Sequence, residues 1–315
     1  MRTALAAGIT ADRLRNRELE RPFHGVRLDP VHQIEFSRFG SFASARAAEE
    51  YAALIARCRA YEPLLRPNQF FSHLTAARLL KIPLPRAFSP SEPLHIAVRA
   101  PARAPRGRGV IGHQASPTAA ITDRFGLPCA EPASAWFALF GLPGSPFGRD
   151  DLVAAAEHLV LDPKVLDPYD VRPYVPLAEL RERVVAFHGR GASAAASAIL
   201  QVREGVESRP ETILRLVLVR AGLPEPEIGV DIYDANGTRL GRADQFFREW
   251  RVISEYDGEQ HRTSSAQYDR DETRIESFQR AGYATVRIRK GQLFGRPDIA
   301  VERVARALRA AGWGG

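Results

Sequence analysis

Gly241-Arg-Ala-Asp244-Gln-Phe-Phe247, followed after four residues by Val252-Ile-Ser-Glu255-Tyr-Asp257-Gly-Glu-Gln260-His261, decides how this chain reads. Both segments have strand composition, and the short connection between them predicts an antiparallel hairpin. Strand side chains alternate between faces, so Glu255 and Asp257 share one face while Ser254 and Tyr256 share the other. Asp244 precedes Glu255 by eleven residues, a spacing that sets the two acids side by side on neighbouring strands.

Working outward, Ser208-Arg209-Pro210-Glu211 has capping-box spacing, with Ser at the N-cap and Glu at N3. It predicts a helix to about Ala221, with Gly222 as its stop. Ile228 to Tyr233 is expected as a strand, Ala235-Asn236-Gly237 as a hairpin turn, and Thr238 to Phe247 and Arg251 to Asp257 as two further strands. A helix over Ala266 to Ala281, a stop at Gly282, a strand over Tyr283 to Arg289 and a helix over Asp298 to Ala310 complete the segment. The expected order is αβββαβ.

Two carboxylates held this close repel when ionised, so one takes up a proton unless a cation bridges them. Mg²⁺ or Mn²⁺ suits such a site, because it binds carboxylate oxygens while keeping waters and sharing ligands with phosphate. Asp244 and Glu255 are the expected ligands, the backbone carbonyl of Tyr256 supplies a third oxygen, and Asp257 assists. His261 is the expected general base or water-orienting group. Glu211 is explained by its cap and is also placed to add a carboxylate from the first helix. Structural roles compete with each assignment. Asp257-Gly258 also reads as a turn, Asp244 as a partner of Arg242 or Arg251, and His261 as a loop cap. Asp269, Arg270, Asp271 and Arg274 read as exposed helical ion pairs.

On these residues, 208–311 resembles the PD-(D/E)xK (restriction-endonuclease-like) nuclease superfamily. Within it the segment is similar to the branch related to very-short-patch-repair (Vsr) endonucleases, known as domain of unknown function 559. That branch has an Asp on the second strand, a Glu-x-Asp-Gly-x-x-His run, a charged helix and a Gly-Tyr strand. Asp244, Glu255, Asp257, Gly258, His261, Asp269, Arg274 and Gly282-Tyr283 match them. The resemblance implies metal-dependent hydrolysis of DNA phosphodiesters. The chain departs from the superfamily at its lysine, two residues after the second acid, where Asp257 stands. Gln260 and His261 are the natural substitutes, and Lys290, at the end of the last strand, is the nearest lysine.

The N-terminal half reads differently. A short helix, a turn at Gly8, a second helix capped by Thr10 and carrying Arg13, Arg15 and Arg17, and a strand over Phe23 to Leu28 with Arg27 are expected. This is the order of the later part of a winged helix, whose second helix enters the major groove. Helices are expected over Ala43 to Leu65 and Ser72 to Leu80, a strand over Leu94 to Val98, and then a Pro/Arg loop with Arg99, Arg103, Arg106 and Arg108. These arginines are candidate phosphate contacts, and a solvated hairpin tip accounts for the loop equally well. Helices over 133–141, 150–160 and 177–203 follow, with Pro-rich 163–176 as a linker. The opening Leu-Ala-Ala-Gly-Ile-Thr through Arg-Pro-Phe-His-Gly-Val, with Phe-Ser-His-Leu-Thr-Ala-Ala-Arg-Leu and Ile-Pro-Leu-Pro, resembles AbiEi-type antitoxins of type IV toxin–antitoxin systems. That resemblance, over about 1–160, implies a DNA-binding winged helix joined to an α/β domain, and a cognate toxin as partner.

The expected organisation is a multidomain α+β and α/β chain. A partial winged-helix-like segment spans 1–40, an AbiEi-like α/β domain 41–162, a linker and helix 163–207, and the restriction-endonuclease-like domain 208–315. At 315 residues the chain exceeds one usual core. Residues 1–150 carry 20 Lys+Arg against 12 Asp+Glu, whereas 151–315 carry 24 against 25. A basic first half suits a polyanion, although only three of the 44 cations are lysines, a bias that genome composition also produces. Two cysteines, Cys58 and Cys129, exclude a disulfide framework and a four-thiolate zinc site. No apolar run is long enough to span a membrane and no signal peptide is evident, so a cytoplasmic protein is expected. Two functions stand: a DNA endonuclease, or an antitoxin-like regulator that uses a nuclease fold for binding alone.

Overall fold

The computed structural model describes residues 10–15, 19–27, 42, 44–142, 147–258 and 265–315; of 11, 15 and 265–271 it describes the backbone only. These residues form a mixed α/β structure with two mixed sheets, divided into two compact units. The first comprises described residues up to 142 with 166–171 and 189–191; the second comprises those of 147–165, 172–188 and 192–315. No helix among the described residues is long and apolar enough to cross a membrane.

In the first unit, α1 (Ala11–Arg15) begins at Thr10, whose hydroxyl accepts the N–H of Arg13 at 3.3 Å. The expected strand over Phe23 to Leu28 is not formed: Gly25 takes φ +82° and the N–H of Val26 returns to the Phe23 carbonyl, which makes a turn. Arg17 and Leu28 lie outside the described residues. After α2 (Ala45–Tyr61) come β1 (Gln69–Phe71), α3 (His73–Leu79), β2 (Leu94–Arg99), β3 (Val110–Ala115), β4 (Ile121–Arg124), β5 (Leu127–Ala130) and α4 (Pro132–Phe140). The sheet order is β3-β2-β1-β5-β4, with β2–β3 and β1–β5 parallel and the other pairs antiparallel. Only β2 is anticipated from the sequence. The supposed loop after it closes into β3, where Gly112 leaves room for the Pro105 backbone that a Cβ would overlap. Cys58 and Cys129 are buried free thiols, and burial pushes Cys129 up to about 12.

The second unit opens with α5 (Arg149–Val160). The single helix expected over 177–203 is two, α6 (Leu177–Ala186) and α7 (Ala192–Ile199), because Gly189 and Gly191 interrupt it and Gly191 adopts φ +89°. Then follow α8 (Arg209–Arg220), β6 (Glu227–Tyr233), β7 (Arg239–Phe247), β8 (Val252–Asp257), α9 (Ser265–Arg280), β9 (Ala284–Arg289) and α10 (Pro297–Ala310). Gly222 and Gly282 take positive φ where the helices stop. The sheet runs β6-β7-β8-β9, antiparallel twice and then parallel. One face buries Phe247, Val252, Val286 and Ile288 against Leu214 and Leu218 of α8 and Val304 and Leu308 of α10. The other buries Ile232, Phe246 and Ile253 against Ile275 and Phe278 of α9. A sheet covered on both faces leaves its strand ends as the open ground for polar groups.

Beneath α8 a charged pair is fully enclosed. Arg215 and Glu157 are each about 1% exposed and meet at 2.6 Å. Glu157 also accepts the Thr212 hydroxyl at 2.6 Å and the Arg203 N–H at 2.9 Å, so both of its oxygens are hydrogen-bonded within the protein.

Candidate active site

The last pair of the β7–β8 ladder is Gln245–Ser254. One step beyond it stand Asp244 and Glu255. Here β8 continues to pair with β9 as far as Asp257, while β7 leaves the ladder. The Tyr256 N–H, no longer taken by β7 backbone, donates to Asp244 Oδ2 at 3.0 Å. Beneath this opening the buried Gln245 ties three elements together: its amide donates to the Glu211 carbonyl at 2.9 Å and its oxygen accepts from Ser254 Oγ at 3.0 Å. The start of α8 is thereby fixed beside the acid pair.

Glu255 is almost fully buried. Burial and then the charge of Asp244 push it up to about 7, against the pull of Arg274. Arg274, from α9, grips it with both ends of the guanidinium, at 2.6 and 3.1 Å, and also donates to the Arg242 carbonyl at 2.6 Å. The approach depends on Gly241: a Cβ there would lie 2.8 Å from Cγ and Cδ of Arg274. Arg274 is thus no exposed partner in a helical ion pair but a cation drawn inward.

Glu211 performs its cap, with Ser208 Oγ on one oxygen at 2.6 Å and the Glu207 N–H on the other at 3.0 Å. Burial and Asp244 push it up to about 8. Asp244 therefore destabilises ionised carboxylates on two sides. Asp257 faces Arg287 at 3.4 Å and Arg289 at 3.6 Å. Arg242 pairs with Glu207 at 3.1 Å and Arg251 donates to the Ala281 carbonyl at 2.7 Å, so neither carries out the pairing with Asp244 that the sequence suggested. The Tyr256 ring lies edge-on to Phe294, 6.4 Å between centroids. Lys290 is exposed at the end of β9. Gln260 and His261 lie outside the described residues, as do the side chains of Asp269, Arg270 and Asp271.

Among the N-terminal arginines, Arg13, Arg103, Arg106 and Arg108 are exposed. Arg27 donates to the Leu14 carbonyl at 3.0 Å and the Val26 carbonyl at 2.8 Å, and Arg99 spends two donors on the Ala119 carbonyl. The side chain of Arg15 is not described.

No known protein-family model matches the chain, and no solved structure does. It is 30% identical over 135 residues to two proteins of Mycobacterium tuberculosis, "Uncharacterized protein MT2308" of strain CDC 1551 / Oshkosh and "Uncharacterized protein Rv2248" of strain H37Rv. The match covers 42% of this chain and 49% of each relative, so the chain spans about half the length of the curated relatives it matches.

Carboxylate oxygens such as those of Asp244, Glu255 and Glu211 are the ligand type that a hard divalent cation prefers, and the charge of Asp244 acts on both glutamates. Glu255 and Glu211 are held toward the protonated state by burial first and then by the charge of Asp244. Arg274 already supplies positive charge to Glu255, so a cation there must share the carboxylate with the guanidinium or displace it.

Proposed function

We propose that this chain is a metal-dependent endonuclease-like protein acting on DNA phosphodiesters. In this reading the second unit holds a restriction-endonuclease-like core of the Vsr-like PD-(D/E)xK branch. The observation that supports it is the pairing of Asp244 and Glu255 where β7 leaves β8, with Glu211 beside them. Asp244, Glu255 and the Tyr256 carbonyl would hold Mg²⁺ or Mn²⁺. When bound, the ion polarises the scissile phosphate and acidifies a water. Asp244 keeps its orientation through the Tyr256 N–H, and the Gln245 bridge holds Glu211 alongside. His261 and Gln260 are assigned the handling of the attacking water, with His261 taking its proton; Asp257 assists, and Lys290 and Glu211 are accessory. Arg13, Arg15, Arg17, Arg27, Arg103, Arg106 and Arg108 are assigned to DNA, through an AbiEi-like N-terminal region whose winged helix is partial. A cytoplasmic location fits a DNA substrate. The purified chain with Mg²⁺ or Mn²⁺ should nick plasmid, and Asp244→Asn or Glu255→Gln should abolish nicking. Cleavage that survives both substitutions ends the assignment.

A second reading has its own support. Arg274 forks Glu255, and arginines flank Asp257 at the position of the missing lysine. This arrangement favours a nuclease fold kept for binding, in an AbiEi-like antitoxin or regulator with a cognate toxin. It predicts salt-sensitive duplex binding without cleavage under any metal, and DNA affinity that does not change with salt would remove it.

A further inference from the structure

Away from the acid pair, the first unit brings three histidines together. His95 lies on β2 and His113 on β3; parallel pairing of His95 with Ile111 and of Ala97 with His113 places both on one sheet face, two residues out of step. His73 opens α3, immediately after Ser72, whose N–H bonds the His95 carbonyl at 2.9 Å. His95 Nδ1 and His113 Nε2 share a hydrogen bond of 2.9 Å, and the His73 and His113 rings stack with centroids 3.5 Å apart. One nitrogen from each of the three lies within 4.8 Å of the others, and no Cys, Asp or Glu joins the group among the described residues.

We propose that His73, His95 and His113 form a Zn²⁺ site that is separate from the carboxylate site, with a fourth position open to water. Three imidazole nitrogens suit zinc, with bonds of about 2.0–2.1 Å, whereas Mg²⁺ and Ca²⁺ prefer oxygen. The nitrogens are ligand-ready. Burial holds His73 down to about 3 and His95 to about 4, with His113 also lowered, so the rings are neutral at neutral pH. Outer contacts are in place as well: Ser72 Oγ lies 3.1 Å from His73 Nδ1, which leaves His73 Nε2 for the ion, and Thr75 Oγ1 accepts the His95 backbone N–H at 2.8 Å. The rings stand within 11° to 27° of parallel, so their lone pairs do not yet meet at one point. Zinc entry takes the place of the His95–His113 hydrogen bond and turns His73 out of its stack, a rotation open to a half-buried side chain. The same half-exposure of His73 and His113 gives the ion its entry path and its water.

The test is calorimetric titration of Zn²⁺ into the full, chelator-treated chain. One equivalent is expected to bind, and His73→Gln and His113→Gln should each weaken it by about 100-fold or more. The Asp244→Asn, Glu255→Gln double variant should keep that equivalent. Absence of binding, or binding that survives both histidine variants but is lost in the carboxylate variant, overturns the site. Should a histidine variant fail to fold, X-ray absorption of the zinc-loaded wild type decides: three imidazole nitrogens at about 2.0–2.1 Å support the site, and an oxygen-dominated shell refutes it.

Discussion

Burial favours the protonated form of Glu255, and on top of that Asp244 pushes its proton on while Arg274 pulls it off. Its carboxyl sits up at about 7, above the unfolded value near 4.3, so the folded chain binds the extra proton between those limits. The contribution is therefore present below the unfolded pKa and is lost as pH rises through about 7. In chelator, wild type should lose more stability than Glu255→Gln between roughly pH 5 and 8, read as the urea midpoint. Equal slopes would show that Glu255 is not so shifted. A divalent ion held by Asp244 and Glu255 would have to release the proton of Glu255, so its affinity should rise with pH through about 7. Arg274→Gln removes the cation that lowers Glu255 and should move this rise to higher pH. Above it, affinity should exceed wild type, because the ion no longer competes with a tethered guanidinium; calorimetry at about pH 7 and pH 9 checks both directions.

Elements act through what they bring within reach. The α5–α8 contact includes the buried pair Glu157–Arg215, where losing Arg215 leaves Glu157 buried without its cation. Arg215→Met should cost about 3–5 kcal/mol and Glu157→Leu less, because Arg215 keeps Glu225 at 3.0 Å; the double variant should cost clearly less than the sum, as a double-mutant unfolding cycle would show. From Ser208 onward the elements of the second unit were legible in sequence, because the strands are half-buried and the helices are bounded by Ser208, Gly222 and Gly282, whose local conformations match their chemistry. In the first unit α2, α3, α4 and β2 were legible, and the other strands were not. Strands β1, β4 and β5 are only three or four residues long, β3 to β5 carry Gly112, Asp123 and Pro128, and β1 and β5 pair across a long stretch of chain, so no local period announces them. At the site, the Asp244–Glu255 spacing was visible because adjacent strands convert it directly into proximity. Of the two readings of Arg274, the exposed ion pair fails because its partner Glu255 lies on the sheet, reached only where Gly241 lacks a side chain. The three histidines are far apart in sequence and each sits alone in its segment, so only the folded sheet reveals them.

At the scale of the whole molecule, the basic first half predicts a salt-dependent association. Each phosphate neutralised changes the slope of log K against log salt by about −0.9 on duplex DNA, so replacing Arg103, Arg106 and Arg108 by Gln should flatten it by about 2.7. An unchanged slope would take this loop out of the interface. Division into units also constrains the order of synthesis. Asp170 belongs to the first unit, where it meets Arg124 at 2.6 Å and Lys81 at 3.7 Å, yet it follows α5 of the second in the chain. A nascent chain that has emerged only to residue 146 therefore has both cations without this carboxylate. The first unit cannot close these two charge pairs until the ribosome has already delivered the opening helix of the second.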